Sequence, residues 1–469
     1  MTARATGKKD IETSGEVTEE IGVSSVQQPV VVPTRGIPPA KIDPDALKVI
    51  RRLNRFGHTA YLVGGCVRDL LLKLTPKDFD LATSAHPGEI RKLFRNCRLI
   101  GRRFRLAHIL FRGKVIETAT FRAAAGEQAP DGDLLIHSDN VFGDEQEDAL
   151  RRDFTINGLF YDPVKRTLVD YVGGLEDLVG RTLRYIGSPD VRTREDPVRI
   201  LRALKFAGRL GFTIEPATLR AIVRYRSHLE KCAAPRLLEE IFRMLRSGGS
   251  EACFRLMWET GVLKIMMPEV ARYLSRAPER DEEREPGGGL WAYLSAIDGS
   301  ERELLSNAVL LAAVLLHPVA DAAGNGEESY GIKPAPGGQG EIARQMLRGM
   351  VMRLKLPKRQ AERVQQLVAA QRRLLKMKNT RPPPRALMRR ASFPEALDLF
   401  EIGVRACGEG RRTLLHLRRA FLKEGTSART SAMGPAPGRG SAPDRAAGRG
   451  HRHHGRGRRG RGGKKTEIS

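Results

Sequence analysis

The sequence predicts an α/β N-terminal head, built as a mixed sheet with helices, followed by an all-α C-terminal half and a disordered tail at each end. Three observations lead there. Short β-prone runs, separated by glycines and brief helical stretches, recur from residue 41 to about 187. Beyond about 190 the apolar residues fall at helical spacing and no convincing strand appears. Residues 1–40 (polar, then Val/Pro-rich) and 424–469 (Gly/Ala/Pro/Arg-rich) follow neither period, so they cannot bury a core.

The elements follow in order. Residues 59–63 are apolar and β-prone, Gly64-Gly65 follows, and 66–72 has helix-compatible spacing: strand, tight turn, helix. Residues 77–83, KDFDLAT, alternate charged and apolar side chains, the period of a half-exposed strand. A short helix opens at Pro87 and runs to 94. Strands are expected at 98–101, 107–112 and 114–122, the last two joined as a hairpin at Gly113. A polar loop covers 123–140, a helix 148–159, and strands 167–171 and 182–186. Amphipathic helices are expected at 196–210, 216–226, 235–245, 250–258, 304–316, 341–354 and 359–375. The charged, Gly-rich 277–289 and the Gly/Pro-rich 322–340 read as loops, and no internal repeat is found.

Composition narrows the function. The 469 residues include 81 Lys+Arg against 55 Asp+Glu, a formal charge of +26, which points to a polyanionic partner, nucleic acid ahead of an acidic membrane surface. An apolar fraction of 41% excludes a wholly disordered chain. The longest apolar stretch, near 308–317, falls short of the roughly 20 residues of a bilayer span, and no apolar leader is visible at the N-terminus. The five cysteines form no CxxC pair, which fits a reducing cytoplasm and argues against a zinc ribbon. The positive charge is concentrated. Residues 91–122 hold ten Arg/Lys and one acid, Glu117; residues 344–390 hold fifteen and one, Glu362. The tail 424–469 holds eleven basic and three acidic side chains and ends in HRHHGRGRRGRGGKK, an Arg-Gly arm suited to single-stranded RNA or, more plainly, a solvated appendage.

The chemistry concentrates in residues 62–81, LVGGCVRDLLLKLTPKDFDL. Adjacent glycines after a strand let backbone amides approach a phosphate, and the following helix aims further N–H groups at the anion. Arg68 sits one turn into that helix and could pair with a phosphate. Asp78 and Asp80, two apart, share a strand face in this reading. Their mutual repulsion calls for a cation, and hard oxygen donors suit Mg²⁺. Two such ions can activate an attacking hydroxyl and stabilise departing pyrophosphate.

GG, VRD and DFD, followed by RRDFTINGLFYDP (151–163), DYVGGLEDL (170–178), EDPVRILRALKFAGRLGF (195–212) and PRLLEEIFRML (235–245), resemble the nucleotidyltransferase superfamily that includes poly(A) polymerases and tRNA CCA-adding enzymes. The stretch LFRNCRLIGRRFRLAHILF (93–111) resembles the bacterial poly(A) polymerase branch. The resemblance implies a nucleotidyltransferase head at 41–187, nucleotide-recognition and neck helices at 188–250, and a helical RNA-binding body at 251–423. It implies Mg²⁺, two ions, on Asp78 and Asp80, with a third carboxylate that is either Asp153 or Glu117. It implies ATP as substrate, contacted by Gly64, Gly65, Arg68, Asp69, Arg152 and Asn157. Asp153 and Asn157 at i, i+4 would share a helix face; Asp196 and Arg199 at i, i+3 would read the base, or form a plain intrahelical salt bridge, and Arg202 would extend that face toward phosphate. Arg102, Arg103 and Arg105 would contact RNA. Cys66 and Gly158 stand where Ala/Gly and Ala/Ser are usual.

The implied activity is template-independent addition of AMP from ATP to RNA 3′ ends, by a cytoplasmic monomer working with RNA and RNA-decay proteins and with no membrane. The alternatives are a tRNA nucleotidyltransferase adding all or part of CCA, and a non-catalytic RNA-binding protein on a polymerase-derived fold.

Overall fold

The computed structural model describes residues 28–34, 36–101, 106–123, 141–276, 288–325, 338–377 and 383–432. Eight strands form one sheet: β1 (Val30–Pro33), β2 (Ala60–Val63), β3 (Leu81–Thr83), β4 (Cys97–Ile100), β5 (Leu106–Phe111), β6 (Lys114–Thr120), β7 (Leu159–Asp162) and β8 (Thr167–Asp170). Their order is β1-β8-β7-β2-β3-β6-β5-β4. Neighbours run antiparallel except β3 and β6, which are parallel with Leu81 opposite Thr118. That parallel pair sets the site, because it places the residues just before Leu81 beside those just before Thr118.

Helix Pro44–Arg55 packs on β2 and β3. Its buried Ala46, Val49, Ile50 and Leu53 follow i, i+3, i+4, i+7, and Asp43 caps it by accepting from the Asp45 amide at 2.7 Å. Tyr61, Phe121 and Phe160 form an aromatic cluster in the head core, with Tyr61 and Phe160 edge to face at 5.8 Å.

The predicted helices from 196 to 375 are all present, the 250–258 helix as Ser250–Glu259 and the 359–375 helix as Lys358–Leu375. Helices Val262–Met266, Pro268–Leu274, Gly288–Asp298, Phe393–Cys407 and Arg411–Ala432 were not foreseen. The 304–316 helix instead spans Asn307–Asn325, long and apolar enough by length and composition to cross a membrane. Its residues 309–315 are completely buried, and the helix packs against Gly288–Asp298, Gly338–Leu354, Lys358–Leu375, Phe393–Cys407, Pro268–Leu274 and Ala234–Leu245, which makes it the centre of the helical core.

Four expectations are corrected. Val30–Pro33, inside the supposed N-terminal tail, adds an antiparallel edge strand to β8. The strand expected at 77–83 shrinks to Leu81–Thr83, so Asp78 and Asp80 lie on the extended approach to it. The helix expected at 148–159 breaks into Glu145–Leu150, a 3₁₀ turn Thr155–Asn157, and β7. Within that break the Asp153 carboxylate accepts from the adjacent Phe154 amide (2.9 Å), a local bond of the kind that competes with helix. A strand does occur after 190: Thr213–Ile214 pairs in parallel with Thr182–Leu183.

Candidate active site

The sharp turn after β2 is made by Gly64 at φ +70°, where a side chain would be strained and its Cβ would lie 3.0 Å from Arg152 Nη1. Helix Gly65–Leu71 follows and buries Arg68, which is 2% exposed. Arg68 donates from Nε and Nη2 to Asp69 Oδ1 (2.9 and 2.7 Å) and from Nη1 to Asn157 Oδ1 (2.6 Å). Asp69 Oδ2 accepts from Arg209 at 2.9 Å, tying this turn to helix Val198–Leu210. Arg68 is therefore a braced wall rather than a free cation, and burial pulls its pKa down.

Asp80 stands next to Glu117 across the β3–β6 pair, with Asp78 two residues before it. Its carboxyl is pushed up to about 6, first by the low-dielectric walls around it, then by the charges of Glu117 and Asp78, against a pull from Arg152. The residue surface also stays open to cleft water. Carboxylates crowded together in this way fit a hard divalent cation. Among the described residues no three ligating side chains converge into a ready-made cage. Mg²⁺ is commonly held by one or two carboxylates plus substrate phosphates, so Asp78 and Asp80 with Glu117 beside them fit such an ion.

Asp153 is held differently. Its Oδ2 accepts from Arg202 Nε at 2.7 Å and pairs with Arg202 Nη2 at 2.5 Å; Oδ1 accepts from the Phe154 amide and from Asn157 Nδ2 at 3.1 Å. Burial raises its pKa, but the Arg202 charge and these bonds outweigh burial and hold it at about 2. Both oxygens are engaged, so of the two candidates for a third carboxylate it is Glu117 that stands beside Asp80. Asp153 and Asn157 do meet, through the 3₁₀ turn and not a helix face.

The side chains of Asp196 and Arg199 do not pair with each other, although the Arg199 amide donates to the Asp196 carbonyl at 2.9 Å. Asp196 ends helix Pro189–Glu195 and accepts from Arg236 at 2.8 Å; Arg199 donates to Glu195 (2.8 Å) and to the Arg192 carbonyl (2.9 Å). Arg152 grips Asp148 at 2.8 Å and stacks over Phe160.

These side chains enclose a cavity of about 550 Å³, a size that takes one nucleotide. It brings together Gly64, Gly65, Arg68, Asp80, Arg152, Asp153, Asn157, Asp196, Arg199 and Arg202. Arg151, Phe206 and Arg236 also line it and were not singled out from sequence, although each lies in or beside a quoted motif. Asp78 and Glu117 face a second, larger cleft of about 1770 Å³ between the head and the helices. Its walls carry Lys77, Lys114, Lys205, Arg209, Arg243, Arg246, Arg302 and Lys355; none is named singly from sequence, although Lys114 and Lys355 fall in the basic stretches 91–122 and 344–390. Asp80, Arg202 and Phe206 line both spaces. Phe206 is held there by three cations, Arg68 at 4.9 Å, Lys205 at 4.9 Å and Arg202 at 5.6 Å from its ring centre. Arg102, Arg103 and Arg105 lie outside the described residues.

Residues 60–184 match the family described as Poly A polymerase head domain. Residues 211–274 match the family described as the probable RNA- and SrmB-binding site of polymerase A. Over 252 residues the chain is 46% identical to Poly(A) polymerase I of Escherichia coli O6:H1, covering 52% of this chain and 54% of that one. It is 37% identical over 220 residues to a CCA-adding enzyme of Lactobacillus gasseri, covering 46% and 54%. The chain thus spans about half the length of the curated relatives it matches. The crystal structure of the Bacillus stearothermophilus CCA-adding enzyme in complex with CTP shares the fold, with a TM-score of 0.59 at 24% identity over 84% of this chain and 90% of that one. The matched residues 60–184 hold Asp78, Asp80 and Glu117 and most of the cavity lining, while Asp196, Arg199, Arg202, Phe206 and Arg236 complete the cavity from beyond them.

Proposed function

We propose that this protein is a template-independent nucleotidyltransferase that adds AMP from ATP to RNA 3′ ends, in RNA polyadenylation and mRNA processing and decay. The observation that carries this reading is the meeting of two spaces at Asp80: a nucleotide-sized cavity and a wide basic cleft. ATP occupies the cavity, where the Gly64-Gly65 backbone and Arg152 approach its phosphates and Asp196 and Arg199 face its base. The RNA strand lies in the cleft along Arg209, Arg243 and Arg246, with its 3′-hydroxyl at Asp78 and Asp80. The hydroxyl oxygen bonds to the α-phosphorus, the bond to the bridging oxygen breaks, and pyrophosphate leaves. Mg²⁺ on Asp78 and Asp80, with Glu117 as the third carboxylate, would supply charge neutralisation and hydroxyl activation. The chain itself contributes alignment and fixed positive charge, the main sources of rate in phosphoryl transfer.

A second reading, addition of all or part of CCA to tRNA, is favoured by the likeness to CCA-adding enzymes. The choice of adenylation leans on the higher identity to Poly(A) polymerase I and on the basic character of 91–122. Each of the four nucleotides is supplied in turn with an unstructured RNA and with tRNA lacking its end. ATP incorporation on both RNAs is expected. CTP incorporation confined to tRNA would overturn the choice.

A further inference from the structure

His108 lies directly across from Glu117, because β5 and β6 run antiparallel with these two residues as register partners. Its Nε2 stands 3.5 Å from Glu117 Oε1. Both side chains project from the open face of the hairpin, while Ile109, Ile116 and Thr118 turn to the buried face. On the far side of β6, the parallel strand β3 brings Asp80 alongside Glu117. Glu117 is half exposed and long, and among the described residues His108 is the one basic side chain within ion-pair distance of it. Left to itself such a side chain samples many rotamers, and fixing it costs entropy. A donor on the neighbouring strand reduces that freedom before any ligand arrives.

We infer that His108 is a positioning residue that holds the Glu117 carboxylate toward Asp78 and Asp80 and leaves its second oxygen free for a divalent cation. This rests on the reading of Glu117 as the third carboxylate. Metal-ligating carboxylates are usually held by hydrogen bonds from a second layer, and loss of such a partner typically costs about 10- to 100-fold in metal affinity. A cross-strand pair could instead act only on hairpin stability, so the test reads metal binding directly.

Mn²⁺ is titrated into the full-length protein without nucleotide, with the free ion followed by electron paramagnetic resonance. The Mg²⁺ dependence of kcat is measured in parallel. E117Q and H108L are each expected to weaken Mn²⁺ binding by about 10- to 100-fold. The H108L loss of kcat should be recovered at high Mg²⁺. H108Q, whose amide reaches about as far as Nε2, should bind Mn²⁺ like the wild type. H108N, too short to reach, should behave as H108L and serves if leucine unfolds the hairpin. H108L should add nothing in the E117Q background. Wild-type Mn²⁺ affinity in both H108L and H108N, with E117Q weakened, overturns the inference. An H108L loss of equal size with and without Glu117 also overturns it, since the effect then runs through the fold. Wild-type affinity in E117Q removes the third-carboxylate reading itself, and the inference with it.

Discussion

Replacing Arg202 by glutamine removes both guanidinium contacts to Asp153 Oδ2 and leaves Oδ1 with the Phe154 amide and Asn157. The Asp153 side chain is 11% exposed, so the interaction is little screened. Burial alone would raise its carboxyl; the Arg202 charge, the bonds from Asn157 and Arg202, and then Arg199 bring it from 3.8 down to about 2. That difference corresponds to about 2–3 kcal/mol. With Asn157 and the Phe154 amide still in place, R202Q should forfeit most of it, about 2 kcal/mol at pH 7. A depressed folded-state pKa contributes stability that is complete above the unfolded value and is lost as pH falls through about 2. The gap between wild type and variant should therefore be flat from neutral pH to about 5 and narrow below about 4. Urea denaturation across this range gives the gap, and the ¹³C resonance of the Asp153 carboxyl in selectively labelled protein gives the pKa. An Asp153 in R202Q that still titrates at about 2, or a gap as wide at pH 3 as at pH 7, would show that Arg202 does not hold this carboxylate.

Three further outcomes follow from the site. D80A should abolish nucleotide addition while RNA binding by filter retention stays near wild type; persistent addition would remove Asp80 from the chemistry. Because the Asp80 carboxyl is raised to about 6, its charge is lost as pH falls through that value, and Mn²⁺ affinity without nucleotide should drop by about tenfold from pH 7 to 5. A flat profile would contradict the crowding of Asp80 by Glu117 and Asp78. G64A forces a side chain onto a φ of +70° and against Arg152 Nη1; a loss of about 1–3 kcal/mol in thermal stability and a raised KM for ATP are expected, and no change in either would mean the turn relaxes freely.

Much of this architecture could be read from sequence, and what could not shares a cause. Gly64-Gly65 and the Asp78-x-Asp80 pair carry their geometry locally, through a turn and a two-residue spacing. Glu117 could only be a candidate until the parallel β3–β6 register set it beside Asp80. Asp153 and Asn157 have the spacing of a helix face, but the carboxylate bonds its own neighbouring amide and the chain turns through 3₁₀ geometry. Asp196 and Arg199 look like partners at i, i+3, yet each is claimed by a residue from elsewhere, Arg236 forty positions on and Glu195 in the preceding helix. The cleft cations come from the neck and helical half as well as the head, and no spacing rule connects Lys114 to Arg302 or Lys355. Val30–Pro33 has too short a run and a terminal proline to announce itself; β8 supplies the ladder that makes it a strand.

Asp80, Arg202 and Phe206 border both spaces. On the proposed reading, a nucleotide joined there becomes the end of the strand without leaving the chamber it entered. Each round then finishes with a blocked entrance, cleared only when the new end slips one residue past the Phe206 ring. Chain growth becomes a ratchet whose tooth is an aromatic side chain clasped by cations, and its grip on the departing base, more than bond formation, would set whether the strand steps forward or lets go.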